Sequence, residues 1–401
     1  MRSLYIPYSS PVVSGEEQAA RSLNSAIALF IIVSTAILFG LTVLYSTSYG
    51  VAGPMYFKKQ LLWGGLGAAG GIAVFLFGYK RLVALSPLFM IISIILLAVA
   101  LSFPAIKGAH RWIQVPGVGS IQPSEYAKLA IALYLARYCS DKMRNINSWS
   151  FKTGFIPLCA SCGAVMGMIL LGRDLGTTVL AGIVLVMILF VSGLKFRILS
   201  IPVLFLPPAL LYGIKQVDAV RWARIKSFLN PEAYISEDGY QLWNSFLALG
   251  SGGWTGVGFM NSRLKHKYLP EAHTDFILSI VGEELGLAGM LFVVMLYISF
   301  AIAGALISMN ANSRQGMILG FALTALISLQ AFINIGVISG GLPTKGMPAP
   351  FISYGGSNLV VCMLATALLL SIAIETARPG FNNNIIVELK EYWKKLWNSQ
   401  A

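Results

Sequence analysis

Long apolar runs recur along this chain and constrain its fold more than any other feature. A run of about 20 apolar residues makes a helix that crosses a bilayer, where only a helix or a closed barrel satisfies its own backbone hydrogen bonds. Ten runs occur, near residues 25–47, 60–78, 84–103, 121–138, 155–172, 176–192, 197–213, 277–308, 316–338 and 350–374. The sequence therefore predicts an all-α polytopic membrane protein with about ten transmembrane helices.

The composition supports a membrane protein and argues against a nucleic-acid-binding one. Charged residues make up only 11% of the 401 residues, whereas soluble domains carry about 25%. The formal charge is +13, but the basic residues lie in loops and at the ends of the apolar runs and form no single stripe. We therefore expect anionic membrane lipids as partners, and no nucleic acid.

Charge bias predicts the orientation. Residues 1–24 are polar and lack the layout of a cleaved signal peptide, so the first run is expected to remain as an anchor. With both termini cytoplasmic, the inner tails and short loops hold fifteen Lys and Arg and the short outer loops hold six. The positive-inside rule favours this arrangement, which leaves the long loop between the seventh and eighth helices, about 214–276, outside.

These boundaries divide the chain into three parts. Residues 1–24 are predicted to be a cytoplasmic tail, 25–376 the transmembrane domain, and 377–401 a second cytoplasmic tail. Within that second tail, residues 385–397 alternate apolar and basic positions at helical spacing. This pattern fits either a helix on the inner leaflet or a frayed charged tail.

The unusual residues gather in four outward segments. These segments are 108–129, 171–178, the long loop and 340–358. In the long loop, Leu242, Phe246 and Leu249 have the spacing of one helical face. The spacing predicts a helix there that lies at the interface or packs on the bundle.

The stretch YLPEAHTDFILSIVGEELG, residues 268–286, holds four carboxylates, Glu271, Asp275, Glu283 and Glu284. Leu285–Met309 is long enough to span alone, so 276–284 is predicted to be a separate short helix that dips into the outer leaflet. The Glu283 and Glu284 pair then lies near the interface or in a cavity, because charge in lipid costs several kcal/mol. Asp275 is either a functional acid or a helix N-cap.

Basic residues on the same side could surround an anion, since Arg and Lys are the natural clamps for phosphate oxygens. They are Arg111, Lys128, Arg173, Arg221, Arg224 and Lys345. A purely structural alternative exists for some of them. Glu125 and Lys128 are three residues apart on one predicted helix, and Asp174 adjoins Arg173, so either pair could be a structural ion pair.

Weaker motifs favour no other chemistry. The glycines of GSGGWTGVG, residues 250–258, could bind phosphate but lack the setting of a P-loop, and a flexible loop is favoured. His266, His273 and Glu271 match no familiar metal spacing, so no metal site is predicted. Ser353 and Ser357 have no evident His to activate them, which argues against a serine hydrolase.

A series of segments along the chain closely resembles, in order, the SEDS family (shape, elongation, division and sporulation). The segments are GAHRWI, QPSEYAKLA, DLGTT, RIKSFLNPE, GYQLWNS, LPEAHTDFI with GEELG, and LPTKG with PFISYGGS. The match is nearest to the family members that act in division. The resemblance implies about ten spans and glycosyltransferase activity that polymerises lipid II with release of undecaprenyl pyrophosphate. It also implies a class B penicillin-binding protein and other divisome membrane proteins as partners, in the bacterial inner membrane at the septum.

The resemblance also implies roles for individual residues. The essential aspartate of the family falls on Asp275, which would be the catalytic residue. Its substrate-binding and neighbouring polar positions fall on Arg111, Glu125, Lys128, Asp174, Arg221, Arg224, His273, Lys345, Ser353 and Ser357. The chain departs from the family at Arg173, Gly341 and Asn358, where proline, leucine and serine are usual.

Glycosyl transfer from a pyrophosphate donor needs only one catalytic carboxylate. A sugar hydroxyl is a poor nucleophile, so Asp275 as general base would take its proton, and cations would stabilise the departing pyrophosphate. A direct displacement inverts the anomeric carbon and yields a β-1,4 link. No cofactor is specified, although Mg²⁺ or Mn²⁺ could assist. The rival hypotheses are a lipid II flippase and a non-catalytic scaffold.

Overall fold

The computed structural model describes residues 15–106, 108–116, 119–142, 147–149, 154–217, 219–235, 239–266, 268–344 and 346–381. Helices dominate these residues. In chain order they are α1 (Gly15–Ala52), α2 (Met55–Phe77), α3 (Tyr79–Ala84), α4 (Ser86–Leu101), α5 (Pro123–Asp141), α6 (Phe155–Leu171), α7 (Leu175–Val191), α8 (Phe196–Val217), α9 (Ala219–Leu229), α10 (Tyr240–Gly252), α11 (Ile277–Asn310), α12 (Arg314–Ile338) and α13 (Gly356–Ala377).

Each of the ten predicted runs falls on a helix, so the prediction of a polytopic helical membrane protein is confirmed. Among the described residues, α1, α2, α8, α11, α12 and α13 are long and apolar enough to cross a bilayer unaided. The helices α4, α6 and α7 are apolar but shorter. The remaining run, 121–138, is α5, which carries the charged residues Glu125, Lys128 and Arg137 within its length.

The helices enclose two hydrophobic cores. The larger core fills the bundle and includes Leu29, Ile131, Leu323 and Leu369. The smaller core holds Phe276, Ile277 and Ile352, among others, together with Leu44 of α1. This second core underlies the segment that carries Asp275, so that segment rests on packed side chains.

Helix α11 is broken near its start. Gly286 has φ 64° and ψ −161°, which is not helical, and a positive φ of this kind costs glycine little. The helix therefore consists of a short segment up to Leu285 and a long segment from Leu287 onward. The predicted separate short helix is confirmed, and both Glu283 and Glu284 are buried inside the protein.

A loop from the preceding chain fills the break. The carbonyls of Glu283 and Glu284 accept hydrogen bonds from the amides of Val257 and Gly258, at 2.9 and 3.0 Å. On the other side, the amides of Leu287 and Ala288 donate to the carbonyls of Gly253 and Trp254, at 2.9 and 3.1 Å. Residues 253–258 thus satisfy the backbone groups that the break releases, as an interrupted membrane helix requires.

The glycines of this loop permit the close approach. A Cβ on Gly252 would collide with the carbonyl of Gly282, and one on Gly256, whose φ is 81°, would collide with that of Glu284. The expectation of a flexible loop was wrong. The glycine run is a closely packed backbone insert.

Two smaller elements lie in the outward segments. Residues Ile113–Val115 and Gly119–Ile121 form an antiparallel hairpin, β1 and β2, with Ile113 opposite Ile121. It is a local exception to the all-α prediction. The predicted helix of the long loop is present as α10, and its Leu242 is fully buried. Because Ser245 also bonds Ser279 of α11 at 2.7 Å, α10 packs on the bundle.

The helix ends differ from the predicted boundaries at two places. Helix α1 begins at Gly15, before the predicted start of the first span. Helix α13 begins only at Gly356, because residues 350–354 form turns and Phe351 has a φ of 65°. The predicted inner-leaflet helix at 385–397 lies outside the described residues.

Candidate active site

Asp275 lies in a tight turn immediately before α11. The amides of Thr274 and Phe276 both donate to the carbonyl of Glu271, at 3.0 and 3.3 Å, and the Thr274 hydroxyl donates to the Glu271 carboxylate at 2.9 Å. Phe276 occupies the N-cap position of α11, so Asp275 does not fill the capping role that the sequence left open. Asp275 itself is half-buried.

Neighbouring elements hold this turn through its backbone. The Asn334 amide of α12 donates to the carbonyl of Asp275 at 2.8 Å and to that of Met347 at 2.6 Å. The Ser353 hydroxyl donates to the carbonyl of Thr274 at 2.6 Å. The Tyr354 amide donates to the carbonyl of His273 at 3.0 Å. Helix α12 and the 346–354 segment thus fix the turn on two sides.

Gly346 lies directly against the Asp275 carboxylate. A Cβ at position 346 would be only 2.5 Å from Oδ2 of Asp275. The absence of a side chain therefore lets the 346–354 segment pass close to the acid. Its neighbour Lys345, a predicted substrate ligand, lies outside the described residues.

An aromatic cluster adjoins the turn. The His273 ring stacks on Tyr56 of α2, with centroids 4.4 Å apart and planes inclined by 22°. Tyr354 meets the Tyr56 ring edge-on at 4.8 Å. His273 is therefore held beside Asp275 by rings from α2 and from the 346–354 segment. No signal in the sequence indicated Tyr56.

Arg111 and Asp174 form a second group at the same end of the bundle. Their side chains approach to 3.5 Å, and the Asp174 carboxylate also accepts from the Ser124 hydroxyl at 2.8 Å and the Gln122 amide at 2.9 Å. Asp174 caps α7 through the Thr177 amide at 3.3 Å. Burial raises the pKa of the Asp174 carboxyl, but the Arg111 charge and the hydroxyl and amide donors together lower this pKa below its ordinary value.

Asp174 is paired with Arg111 and not with its sequence neighbour. Arg173 has a φ of 60°, which proline cannot adopt, so the departure from the usual proline accompanies a different turn. The Arg173 guanidinium donates to the carbonyl of Gly108 at 3.3 Å, and Arg221 of α9 donates to the Arg173 carbonyl at 2.8 Å. Arg221 therefore joins this group, while Arg224 is exposed on α9.

Glu125 and Lys128 form an ion pair inside the bundle. They lie 3.0 Å apart, and their side chains are only 6% and 1% exposed. Asn358 donates to Glu125 at 2.9 Å, and Lys128 donates to Gln330 at 2.9 Å. Each member thus has one further hydrogen-bond partner, and the burial of the pair supports the structural alternative.

Gln330 links this pair to the Asp275 region. Its amide donates to the carbonyl of Pro348 at 2.9 Å, one residue beyond the Met347 carbonyl that Asn334 holds. Gln330 and Asn334 are four residues apart on α12 and so share a face. Together they hold the 346–354 segment that passes Asp275.

The two predicted serines bind backbone. Ser353 accepts from the Ala349 amide at 2.8 Å in addition to its bond to Thr274. Ser357 accepts from the Gln122 amide at 3.0 Å, which ties α13 to the start of α5. Both hydroxyls therefore contribute to the architecture of the site.

Glu283 and Glu284 belong to a separate buried cluster. Glu284 accepts from the Ser46 hydroxyl of α1 at 2.7 Å and from Lys265 at 2.7 Å. Glu283 accepts from the Ser262 hydroxyl and from the Arg263 amide, the latter at 2.8 Å. This cluster fastens the chain after the inserted loop to α11 and α1.

Among the described residues, no three of His, Cys, Asp and Glu converge as metal ligands would. Glu271 bonds Thr274, His273 stacks on Tyr56, and His266 is exposed. A cavity of about 300 Å³ is lined by Tyr134, Arg137 and Lys142, among others, at the start of α4 and the end of α5. It lies at the opposite end of α5 from the Arg111 and Asp174 group.

The sequence reasoning missed Gln330 and Asn334, although a signal was present. Polar side chains inside a transmembrane run face the bundle interior and find a partner there. Both residues interrupt the apolar run 316–338 and are almost fully buried. The same rule, applied to amide side chains as well as to charged ones, predicts that Gln330 and Asn334 face the bundle interior.

The fold and this site define a polytopic helical membrane protein with a half-buried acid, Asp275, and a separate Arg111 and Asp174 ion pair at one end of its bundle. Residues 26–378 match the cell cycle protein family of FtsW, RodA and SpoVE. The chain belongs to this family, which confirms the resemblance. A probable peptidoglycan glycosyltransferase FtsW from Geobacter metallireducens is 36% identical over 84% of this chain and 91% of its own length.

Solved structures share the fold. A chain from a peptidoglycan synthase complex that coordinates polymerization and crosslinking has a TM-score of 0.73, with 22% identity over 87% of this chain and 98% of its own length. RodA from Thermus thermophilus has a TM-score of 0.64, with 23% identity over 87% of this chain and 96% of its own. At these identities the likeness shows the architecture alone.

Proposed function

We propose that this protein is a peptidoglycan glycosyltransferase that polymerises lipid II into β-1,4 glycan strands and releases undecaprenyl pyrophosphate. The observation that carries the proposal is the Asp275 turn, in which a half-buried carboxylate is fixed through backbone hydrogen bonds beside a segment with no side chain at Gly346. The similar protein from Geobacter metallireducens, a probable peptidoglycan glycosyltransferase, supports the proposal.

Asp275 acts as the general base in this proposal. Its carboxylate takes the proton of the incoming 4-hydroxyl as the new bond forms to the anomeric carbon, and the pyrophosphate leaves from the opposite face. The leaving group needs no proton if cations stabilise its charge. Arg111 and Arg221, which belong to the Asp174 group, and Arg224, which is exposed on α9, are the proposed cations.

Precise placement of the base supports this chemistry. A displacement of about 1 Å at a reacting group can reduce the rate on the order of 100-fold. Asn334 and Ser353 limit such displacement by holding both residues of the Thr274–Asp275 pair through their carbonyls. Glu125 and Lys128 contribute indirectly, through Gln330 and the 346–354 segment.

The family and the charge bias support the proposed cellular setting. We place the protein in the bacterial inner membrane with both termini cytoplasmic, the Asp275 end outside, and its work at the division septum. A class B penicillin-binding protein is the proposed partner, together with other divisome membrane proteins. The similar chain from a synthase complex that coordinates polymerization and crosslinking supports this pairing.

The test is polymerisation of lipid II by the purified complex, read on a glycan gel. We expect strands from the native chain and none from Asp275→Ala. Glu232→Gln is the matched control, because Glu232 is an exposed carboxylate of the same outer loop. Full-length strands from Asp275→Ala would overturn the role of the base. Movement of labelled lipid II across liposomes without polymer would instead indicate a flippase, and an inactive native complex would indicate a scaffold.

A further inference from the structure

The loop that fills the break in α11 exposes large apolar side chains. Trp254 is 77% exposed, and Val257, Phe259 and Met260 are also exposed. The backbone of residues 253–258 bonds α11, while these four side chains leave much of their surface uncovered. An exposed apolar group of this size marks a contact with lipid or with another molecule.

The hydrogen bonds to α11 fix the depth of this loop. The carbonyl of Trp254 bonds the amide of Ala288, so Trp254 lies level with the first turn of the long α11 segment. That segment carries no charged residue, and one stripe of it is exposed from end to end. The stripe consists of Leu287, Leu291, Met295, Ile298, Ile302, Leu306 and Met309.

The length of the stripe matches the thickness of a hydrocarbon core. From Leu287 to Met309 the helix rises by about 33 Å at 1.5 Å per residue, close to the hydrocarbon thickness of about 30 Å. Leu287 therefore marks one boundary of the hydrocarbon core. Trp254 lies at that boundary, where Trp and Tyr concentrate in membrane proteins.

Helix α1 gives an independent measure of the same level. Ser46 of α1 bonds Glu284 at 2.7 Å, so residue 46 lies beside the break. Its neighbours Tyr45 and Tyr49 are exposed and pack on each other with centroids 5.0 Å apart. Exposed aromatic residues from two separate elements thus form one belt at the level of the inserted loop.

We infer that residues 254–260 dock into the lipid interface of the leaflet on the Asp275 side. The apolar side chains enter the acyl boundary, and the exposed Arg263 faces the lipid phosphates. Lipid is the occupant because the loop continues the lipid-facing stripe of α11 and the aromatic belt of α1. The inference does not depend on the proposed glycosyltransferase activity.

A nitroxide spin label at position 254 tests this inference. Trp254→Cys is labelled in the otherwise native chain, in nanodiscs of phosphatidylethanolamine and phosphatidylglycerol, and the label's collisions with oxygen and with a water-soluble nickel chelate are measured. The unmodified chain, treated identically, gives the background from the native cysteines. Leu291→Cys is the lipid reference, and Glu232→Cys is the aqueous reference.

We expect the label at 254 to favour oxygen over the chelate, with a ratio nearer to that of Leu291→Cys. A ratio equal to that of Glu232→Cys would overturn the inference. Protection from both reagents would also overturn it, because protein would then cover the loop. Phe259→Cys repeats the measurement, so a folding defect in one variant leaves the test intact. The side chains at 254 and 259 are not needed for the backbone bonds that fill the break.

Discussion

Asp275 and the Glu283 and Glu284 pair lie within ten residues of each other in sequence but have different surroundings. Glu283 and Glu284 are buried, and hydroxyl, amide and ammonium donors from α1 and the 260–265 segment surround them. Asp275 is half-buried and is fixed mainly through the backbone of its turn. The contrast separates two acids that are bound through their carboxylates from the proposed base, whose turn is held through backbone carbonyls.

The contrast also explains why charge alone is a poor guide to function here. Glu125 and Lys128 are as strongly charged as Asp275, yet their polar atoms are engaged inside the bundle. A buried ion pair of this kind needs its full set of partners, because an unpaired buried charge is costly. Four predictions test how far the two kinds of site can be separated.

The largest effect is expected from Asp275→Asn. The amide keeps the size of the side chain but cannot accept the proton, so polymerisation should fall by about 10² to 10⁴-fold, the usual contribution of a general base. The melting temperature of the purified chain should stay within about 2 °C of the native value, since the backbone contacts of the turn remain. A large loss of stability would place Asp275 with the structural acids.

Glu284→Gln should show the opposite pattern. It leaves the Lys265 ammonium buried without its counter-charge, and removal of one partner of a buried pair costs about 3–5 kcal/mol of unfolding free energy. Thermal unfolding followed by tryptophan fluorescence measures this loss. The double variant Lys265→Met with Glu284→Met should recover part of it, since no unpaired charge remains. A double variant no better than the single one would contradict the ion-pair explanation.

Asn334→Ala should lower kcat about tenfold while KM stays within about twofold, because it releases the backbone of the base without touching the proposed cations. Thr324→Ala is the matched control, since Thr324 is a buried polar residue of the same helix that bonds only the Gly320 carbonyl in its own helix. A rise in KM with an unchanged kcat would show that Asn334 serves substrate binding instead.

The smallest effect is expected from Arg224→Ala. Arg224 is exposed on α9, and an exposed ion pair contributes up to about 1 kcal/mol, so KM should rise by up to about fivefold. Complex assembly, measured by co-purification with the partner, should not change. Lys226→Ala, an exposed cation two residues along, is the control. Equal effects from both variants would point to general electrostatic attraction rather than a defined contact.

Much of the fold could be predicted because the bilayer allows few solutions. Each of the ten apolar runs falls on a helix among the described residues, and the length of Leu285–Met309 predicted the separate short segment before it. The hydrogen bonds that fill the break could not be predicted, because they join backbone to backbone. The sequence contributes to them only through glycines, whose lack of a side chain leaves room for the two backbones to approach. The same glycines misled the sequence reasoning toward a flexible loop.

The site was predicted in part. The structure gathers Asp275, His273 and Ser353 in one place and Arg111, Asp174, Arg221 and Ser357 in another. Pairing across such distances depends on how separate helices and loops pack together, which no local pattern encodes. Asp174 illustrates this limit, since its partner Arg111 is 63 residues away while an arginine stands next to it in sequence.

The order of synthesis gives the filled break a consequence for biogenesis. Residues 253–258 leave the ribosome before Gly286. The loop that bonds the free backbone groups of the interrupted helix is therefore already present when that helix emerges. The segment before Gly286 has no need to enter lipid alone with its two acids. Leu287 is then the first residue of α11 that the translocation machinery must release into the bilayer, and the N-terminal part folds onto its waiting loop.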